Sequence, residues 1–164
     1  MQSLFDPIGR FNHARLILVC VILVAISYFN SLSVYFIWDD YSSVIANTAI
    51  RRADFKNIFK PLYEEESPGL AKVPVYFRPA QVLSYVLDYR IWKLNPFGYH
   101  LNSIILHSLN TVLLYFLLFI LFRERAIAFL GSALFGVHPV FTSSVTYISG
   151  RADVLVLFFS LLAC

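Results

Sequence analysis

The sequence predicts an all-α membrane protein, a polytopic helical bundle of three to four spanning segments with one large external loop after the first. Three observations carry this. Hydrophobic residues make up 59% of the 164 and charged residues only 14%, whereas a soluble domain carries about a quarter charged. The apolar residues fall in long charge-free runs rather than at core-forming periods, which selects a bilayer over a buried core. Arginines stand before the first run (Arg10, Arg15) and between the second and third (Arg123, Arg125), where the cytoplasmic side retains them.

Residues 1–15 are then a cytoplasmic amino terminus. The first span covers Leu16–Trp38, 23 residues without a charge, or roughly 34 Å of helix against a hydrocarbon core of about 30 Å. A cleavable signal peptide is the alternative, but the run exceeds the usual 7 to 15 apolar residues of one by a rough count, and Tyr28-Phe29-Asn30-Ser31 offers no small-residue cleavage site. Residues 39–98 form the external loop, with eight basic and seven acidic residues. Within it Asp54 can cap a short helix through Phe59, ahead of Pro61, and Glu64–Gly69 reads as a solvated connection. Pro79 opens a second helix to about Trp92. Val82, Leu83, Val86, Leu87 and Ile91 take one side of it and Gln81, Ser84 and Asp88 the other, the pattern of an amphipathic helix on a membrane surface.

The second span covers 99–122, and the turn Arg123-Glu124-Arg125 returns on the cytoplasmic side. A third segment, 126–138, meets His138-Pro139 after 12 residues, so it kinks or stops within the membrane. Residues 139–153 make a second external loop. A fourth run, 154–164, has 11 residues where a span needs about 20, and the expectation is a fragment of a longer protein or the product of an interrupted gene.

The net charge of +3 comes from 13 basic and 10 acidic residues with no dense basic stripe, which argues against nucleic acid as a partner. Cys20 and Cys164 both lie in apolar runs and resemble neither a metal site nor a disulfide framework. No repeat of solenoid length is present.

Chemistry is expected where the helices meet water. Asp39 and Asp40 follow Trp38 at the end of the first span. Adjacent carboxylates there can hold a divalent cation or take a proton from an attacking hydroxyl; equally, Trp38 can belong to the interfacial aromatic belt while the aspartates stop the helix. Arg78 can grip a phosphate bidentately or snorkel to the headgroups. His100 can assist it or relay a proton. His107 lies two turns further along the same face, well inside the slab, and suits a packing hydrogen bond as well as a function. Arg151 and Asp153 are an ordinary helix-start pair or part of a phosphate or metal site; spacing does not choose.

These pieces stand in an order that resembles a family. Trp38-Asp39-Asp40 is followed by Tyr76-Phe77-Arg78-Pro79 with Leu83-Ser84-Tyr85 and Leu87-Asp88-Tyr89, then Asn95-Pro96-Phe97-Gly98-Tyr99-His100 with His107 and Asn110, then His138-Pro139-Val140 and Gly150-Arg151-Ala152-Asp153. The series is similar to the amino-terminal membrane region of the transmembrane and tetratricopeptide-repeat-containing proteins, which bacterial relatives share. The resemblance implies a C-type glycosyltransferase-like bundle that moves a sugar, mannose in eukaryotic members, from a polyprenyl-phosphate carrier to a protein hydroxyl. Asp39 or Asp40 would be the catalytic base, and Asp40 a metal-holding carboxylate if a divalent cation takes part. Charge and side of the membrane, and not the resemblance, make Arg78, His100 and Arg151 candidates for the lipid-phosphate side, with His138 a further substrate-binding candidate. Partners would be that lipid-linked sugar, a protein acceptor and membrane lipids, in a bacterial inner membrane or endoplasmic reticulum membrane.

Two positions depart from the family pattern. A glutamate usually follows the threonine after His138-Pro139, but Ser143 follows Thr142 here, and Ser103 stands where an asparagine is expected. The first loses a second acidic motif, and a hydroxyl does not replace a carboxylate as base or metal ligand. A catalytically inactive membrane anchor or truncated relic is the alternative. A transporter reading would rest on His107 and the break at His138-Pro139 alone.

Overall fold

Helix α1 (His13–Tyr28) begins where the Asn12 side chain accepts from the Ala14 amide at 3.2 Å, so it starts three residues before the charge-free run. It tightens into a 3-10 helix over Phe29–Ser33. The hydroxyls of Ser31 and Ser33 there donate to the carbonyls of Tyr28 and Asn30, competing with helical continuation. A computed structural model describes residues 11–52, 62–63, 74–76 and 78–164; the short helix expected over Asp54–Phe59 and the connection Glu64–Gly69 lie outside these.

A π-helical turn (Tyr41–Ile45) and helix α2 (Thr48–Arg52) follow, and β1 (Leu62–Tyr63) pairs antiparallel with β2 (Pro74–Tyr76). Helix α3 (Pro79–Trp92) opens on its proline. Helix α4 (Pro96–Phe122) starts earlier than the charge-free stretch because Asn95 caps the Phe97 amide at 3.2 Å and Pro96 takes the first helical position. It ends at Arg123, whose left-handed φ of 56° turns the chain into α5 (Arg125–Val137). His138-Pro139 breaks α5; the next helix, α6 (Thr142–Thr146), follows a single 3-10 turn, and α7 (Arg151–Leu162) follows another.

Among the described residues, two helical stretches are long and apolar enough to cross a membrane, His13–Ser33 and Pro96–Phe122. The pair Arg125–Val137 and Pro139–Thr146, bent by 43°, makes a third if it is one broken span. The chain is thus a polytopic helical membrane protein. α4 is its axis: α1, α5 and α7 pack around it, and α3 lies across its first turns.

The sidedness of α4 is inverted relative to a soluble helix. His100, Ser103, His107, Asn110 and Thr111 are buried, while Ile105, Leu109, Phe116 and Ile120 are exposed. In lipid the outward face needs no polarity, and polar groups serve as interhelical ties. Asn110 donates to the Val154 carbonyl of α7 at 2.9 Å, His107 to the Gly136 carbonyl of α5 at 3.1 Å, and Tyr115 meets His13 of α1 at 2.8 Å.

Gly136 makes the closest of these approaches possible. A Cβ there would sit 2.8 Å from a Val24 methyl and 3.2 Å from the Thr111 methyl. Gly136→Leu is therefore expected to cost about 1–3 kcal/mol by overpacking and to lengthen the His107 bond. Thermal unfolding in detergent checks it; an unchanged midpoint would show that the three helices do not meet there.

α3 corrects the expected surface orientation. Gln81 and Asp88, assigned to the water side, are buried, and Leu83, Leu87 and Ile91 are 41%, 57% and 70% exposed. Val82 and Val86 are buried with them, so the period is helical as expected but the inward face is mixed, its polar groups turned to where α4 and α7 offer partners and lipid would not.

Candidate functional site

After the 3-10 helix the chain is extended through Ile37, and Trp38 then adopts a positive φ of 45° with 86% of its side chain exposed. That turn separates two neighbouring carboxylates. Asp40 points inward and is fully buried. Its Oδ2 accepts from the Ile37 amide at 3.1 Å, and its Oδ1 from the amide and hydroxyl of Ser149 at 2.9 and 2.7 Å. Asp39 is exposed, and its amide donates to the Tyr147 hydroxyl at 3.1 Å. Burial pushes the Tyr147 phenol up.

Ser149 lies in the segment Tyr147–Gly150, which α3 grips from the other side. Gln81 donates to the Ser149 carbonyl at 2.8 Å and to the Tyr85 hydroxyl at 2.7 Å, and Tyr85 donates to the Ile148 carbonyl at 2.7 Å. Gly150 follows because nothing larger fits: its Cβ would lie 2.5 Å from the Ser143 carbonyl oxygen. The next residue, Arg151, is fully buried at the start of α7.

Arg151 spends its donors inside the protein. Nε donates to Ser103 at 3.1 Å, Nη1 to Ser84 at 3.2 Å and to Asp88, and Nη2 to the Tyr99 carbonyl at 2.6 Å. The guanidinium also stacks 4.9 Å from the centre of the Tyr85 ring. Asn102 donates to the other oxygen of Asp88. Burial pushes the Asp88 carboxyl up against the opposing pull of Arg151, and pushes the Tyr85 phenol far above its ordinary range. The result is a closed ion pair among α3, α4 and α7.

The expected site residues therefore separate. The donors of Arg151 are enclosed by protein partners. His100 is also buried: Nε2 donates to the Val34 carbonyl at 3.1 Å and ties the extended segment before Asp39 to α4. His138 is exposed, and its Nδ1 accepts from the Val140 amide at 3.2 Å as a local cap. Arg78 is exposed at the start of α3, on the rim of a cleft of about 210 Å³ walled by Pro79, Ala80, Leu155, Val156 and Phe159 with Gln81 at its base. Asp153 pairs with the Ser144 hydroxyl at 3.1 Å instead of with Arg151.

Asp40 does not suit a divalent cation. Its two oxygens already accept three protein donors, and among the described residues no three His, Cys, Asp or Glu side chains converge, whereas a hard cation takes several oxygen ligands.

Gln81, Tyr85, Asp88, Tyr147 and Ser149 complete the site and were not singled out for it from the sequence. The spacing Gln81, Tyr85, Asp88 was the available signal: a polar stripe at i, i+4, i+7 shares one helix face, and only its direction was unreadable.

The inverted bundle, with a carboxylate presented where a spanning stretch ends, defines a multi-spanning membrane protein with its polar site at one end of the helices. Protein O-mannosyl-transferase F38B6.6 of Caenorhabditis elegans is 33% identical over 159 residues, 94% of this chain and 23% of that protein. Protein O-mannosyl-transferase TMTC1 of Mus musculus is 39% identical over 145 residues, 83% of this chain and 15% of its own length. The human TMTC3 is 33% identical over 148 residues, 86% of this chain. By sequence the chain is a relative of the transmembrane and tetratricopeptide-repeat-containing family of protein O-mannosyl-transferases. It spans 15% to 23% of the length of these relatives. No family model and no solved structure matches it.

Proposed function

We propose that the chain is a segment of a membrane-embedded glycosyltransferase that moves mannose from a polyprenyl-phosphate carrier to a serine or threonine hydroxyl of a protein. The observation that supports this most is the division of the Trp38-Asp39-Asp40 turn, with Asp40 enclosed and Asp39 exposed beside the Tyr147 hydroxyl.

In this reading the acceptor oxygen attacks C1 of the sugar as its proton passes to Asp39. The bond from C1 to the phosphate oxygen breaks, and the polyprenyl phosphate leaves with the bonding pair. Arg78 would offset the charge on that phosphate, with the carrier's hydrocarbon against the apolar wall of Leu155, Val156 and Phe159. Gln81 links the two regions, since it lines the cleft and holds the carbonyl of Ser149, whose amide holds Asp40. The site faces the non-cytoplasmic side of a bacterial inner membrane or endoplasmic reticulum membrane.

The test is transfer of labelled mannose from a polyprenyl-phosphate donor to serine- and threonine-containing peptides by the reconstituted full-length protein that carries this segment. Transfer that disappears in Asp39→Asn supports the assignment, and equal turnover in that variant overturns it. A second reading, an inactive membrane anchor, is favoured by Ser143 standing where the resemblance expects glutamate; an unsubstituted full-length protein that inserts stably and transfers nothing would replace the enzyme by the anchor.

A further inference from the structure

We propose that Asp40, Ser149 and Tyr147 are positioning residues: a latch between two loops that holds Asp39 outward on a strained turn. The proposal rests on the reading of Asp39 as the base, but the latch itself is a matter of geometry.

The strain sits at Trp38. A φ of 45° is unfavourable for any residue with a Cβ, and most of all for a bulky one. The Trp38 side chain does not hold it there, being 86% exposed. The turn is closed locally by Asp40 N to Ile37 O at 2.9 Å and Tyr41 N to Trp38 O at 3.1 Å. A widened π-helical turn follows at once, with the Ala46 amide on the Tyr41 carbonyl at 2.7 Å. Strained dihedrals and π-turns persist only where surrounding contacts over-determine them, and they collect at functional positions.

The contacts that over-determine this turn come from elsewhere in the chain. Asp40 ties the turn to Ser149 through two hydrogen bonds across 109 residues, and Tyr147 takes the Asp39 amide across 108. Ser149 cannot drift, because Gln81 holds its carbonyl and Tyr85 the one before it. Upstream, His100 holds Val34. With the backbone held before, at and after Asp39, its side chain is kept at the loop surface beside the Tyr147 hydroxyl. A free turn would relax to negative φ and swing both carboxylates, which is the loss of positioning that lowers turnover without lowering affinity.

The experiment uses the whole chain in lipid nanodiscs, with amide hydrogen exchange over Trp38–Tyr41 and steady-state transfer measured on the same variants. Tyr147→Phe deletes one acceptor and keeps the ring. It is expected to speed exchange at the Asp39 amide about five- to tenfold, the worth of one hydrogen bond, and to lower kcat by a similar factor while KM for donor is unchanged. Asp40→Ala is expected to do more of both. Adding Trp38→Gly to Asp40→Ala should recover slow exchange and part of kcat, since glycine adopts positive φ without strain; a general loss of structure would not be rescued this way. Wild-type exchange at Asp39 in both Tyr147→Phe and Asp40→Ala would overturn the latch, as would a failure of Trp38→Gly to restore it. If the unsubstituted chain transfers nothing, the reading of Asp39 as base falls, and exchange alone still decides the latch.

Discussion

Arg151→Met is expected to lower the unfolding free energy by about 3–5 kcal/mol, the cost of removing one partner of a buried ion pair and leaving the other uncompensated. The pair qualifies because the Arg151 side chain is 0% exposed and that of Asp88 4%. The substituted chain would keep the Asp88 carboxyl with Asn102 as its remaining partner and would also lose the bonds to Ser84, Ser103 and the Tyr99 carbonyl. Asp88→Leu combined with Arg151→Met should recover a large part of the loss, because an apolar pair of similar volume carries no charge to desolvate. Chemical unfolding in detergent reads both. If the double variant is as unstable as the single, the pair's charge is not what organises α3, α4 and α7.

Asp39→Asn is expected to reduce kcat for mannose transfer by about 10²–10⁴-fold, the contribution of a positioned general base, with little change in thermal midpoint. The two effects separate because Asp39 is exposed and its backbone amide bond to the Tyr147 hydroxyl is retained by asparagine. Asp40→Asn behaves in the opposite way. Its amide nitrogen would confront either the Ile37 amide or the two Ser149 donors, so stability falls together with turnover. Transfer by the Asp39 variant at the wild-type rate would move the search for the base elsewhere on the rim.

Much of the helix layout was legible in the chain. The Arg123-Glu124-Arg125 turn, the break at His138-Pro139 and the proline that opens α3 are local signals, and each acts within a few residues of where it stands; the span read from Tyr99 begins earlier, at Pro96 as α4. The candidate site was legible in part. Asp39 and Arg78 could be read from their places beside apolar runs, since both remain exposed. The burial of Arg151 and His100 among protein partners was not legible, because a charge near the end of a span looks the same whether it faces water or a partner. Distant partners, Asp88 and Ser103 among them at 63 and 48 residues away, decide that for Arg151.

By itself the sequence determined that this protein crosses a membrane, roughly where its helices run, and which residues are rich enough in chemistry to matter, because hydropathy, caps and breakers act through the chain's immediate surroundings. The tertiary structure alone decided which residues of α3 face inward, which of two adjacent aspartates is exposed, and that Arg151 is buried in an ion pair with Asp88. Those outcomes depend on hydrogen-bond partners brought together from distant positions, and in a low-dielectric interior a polar group's role is set by the partner it finds.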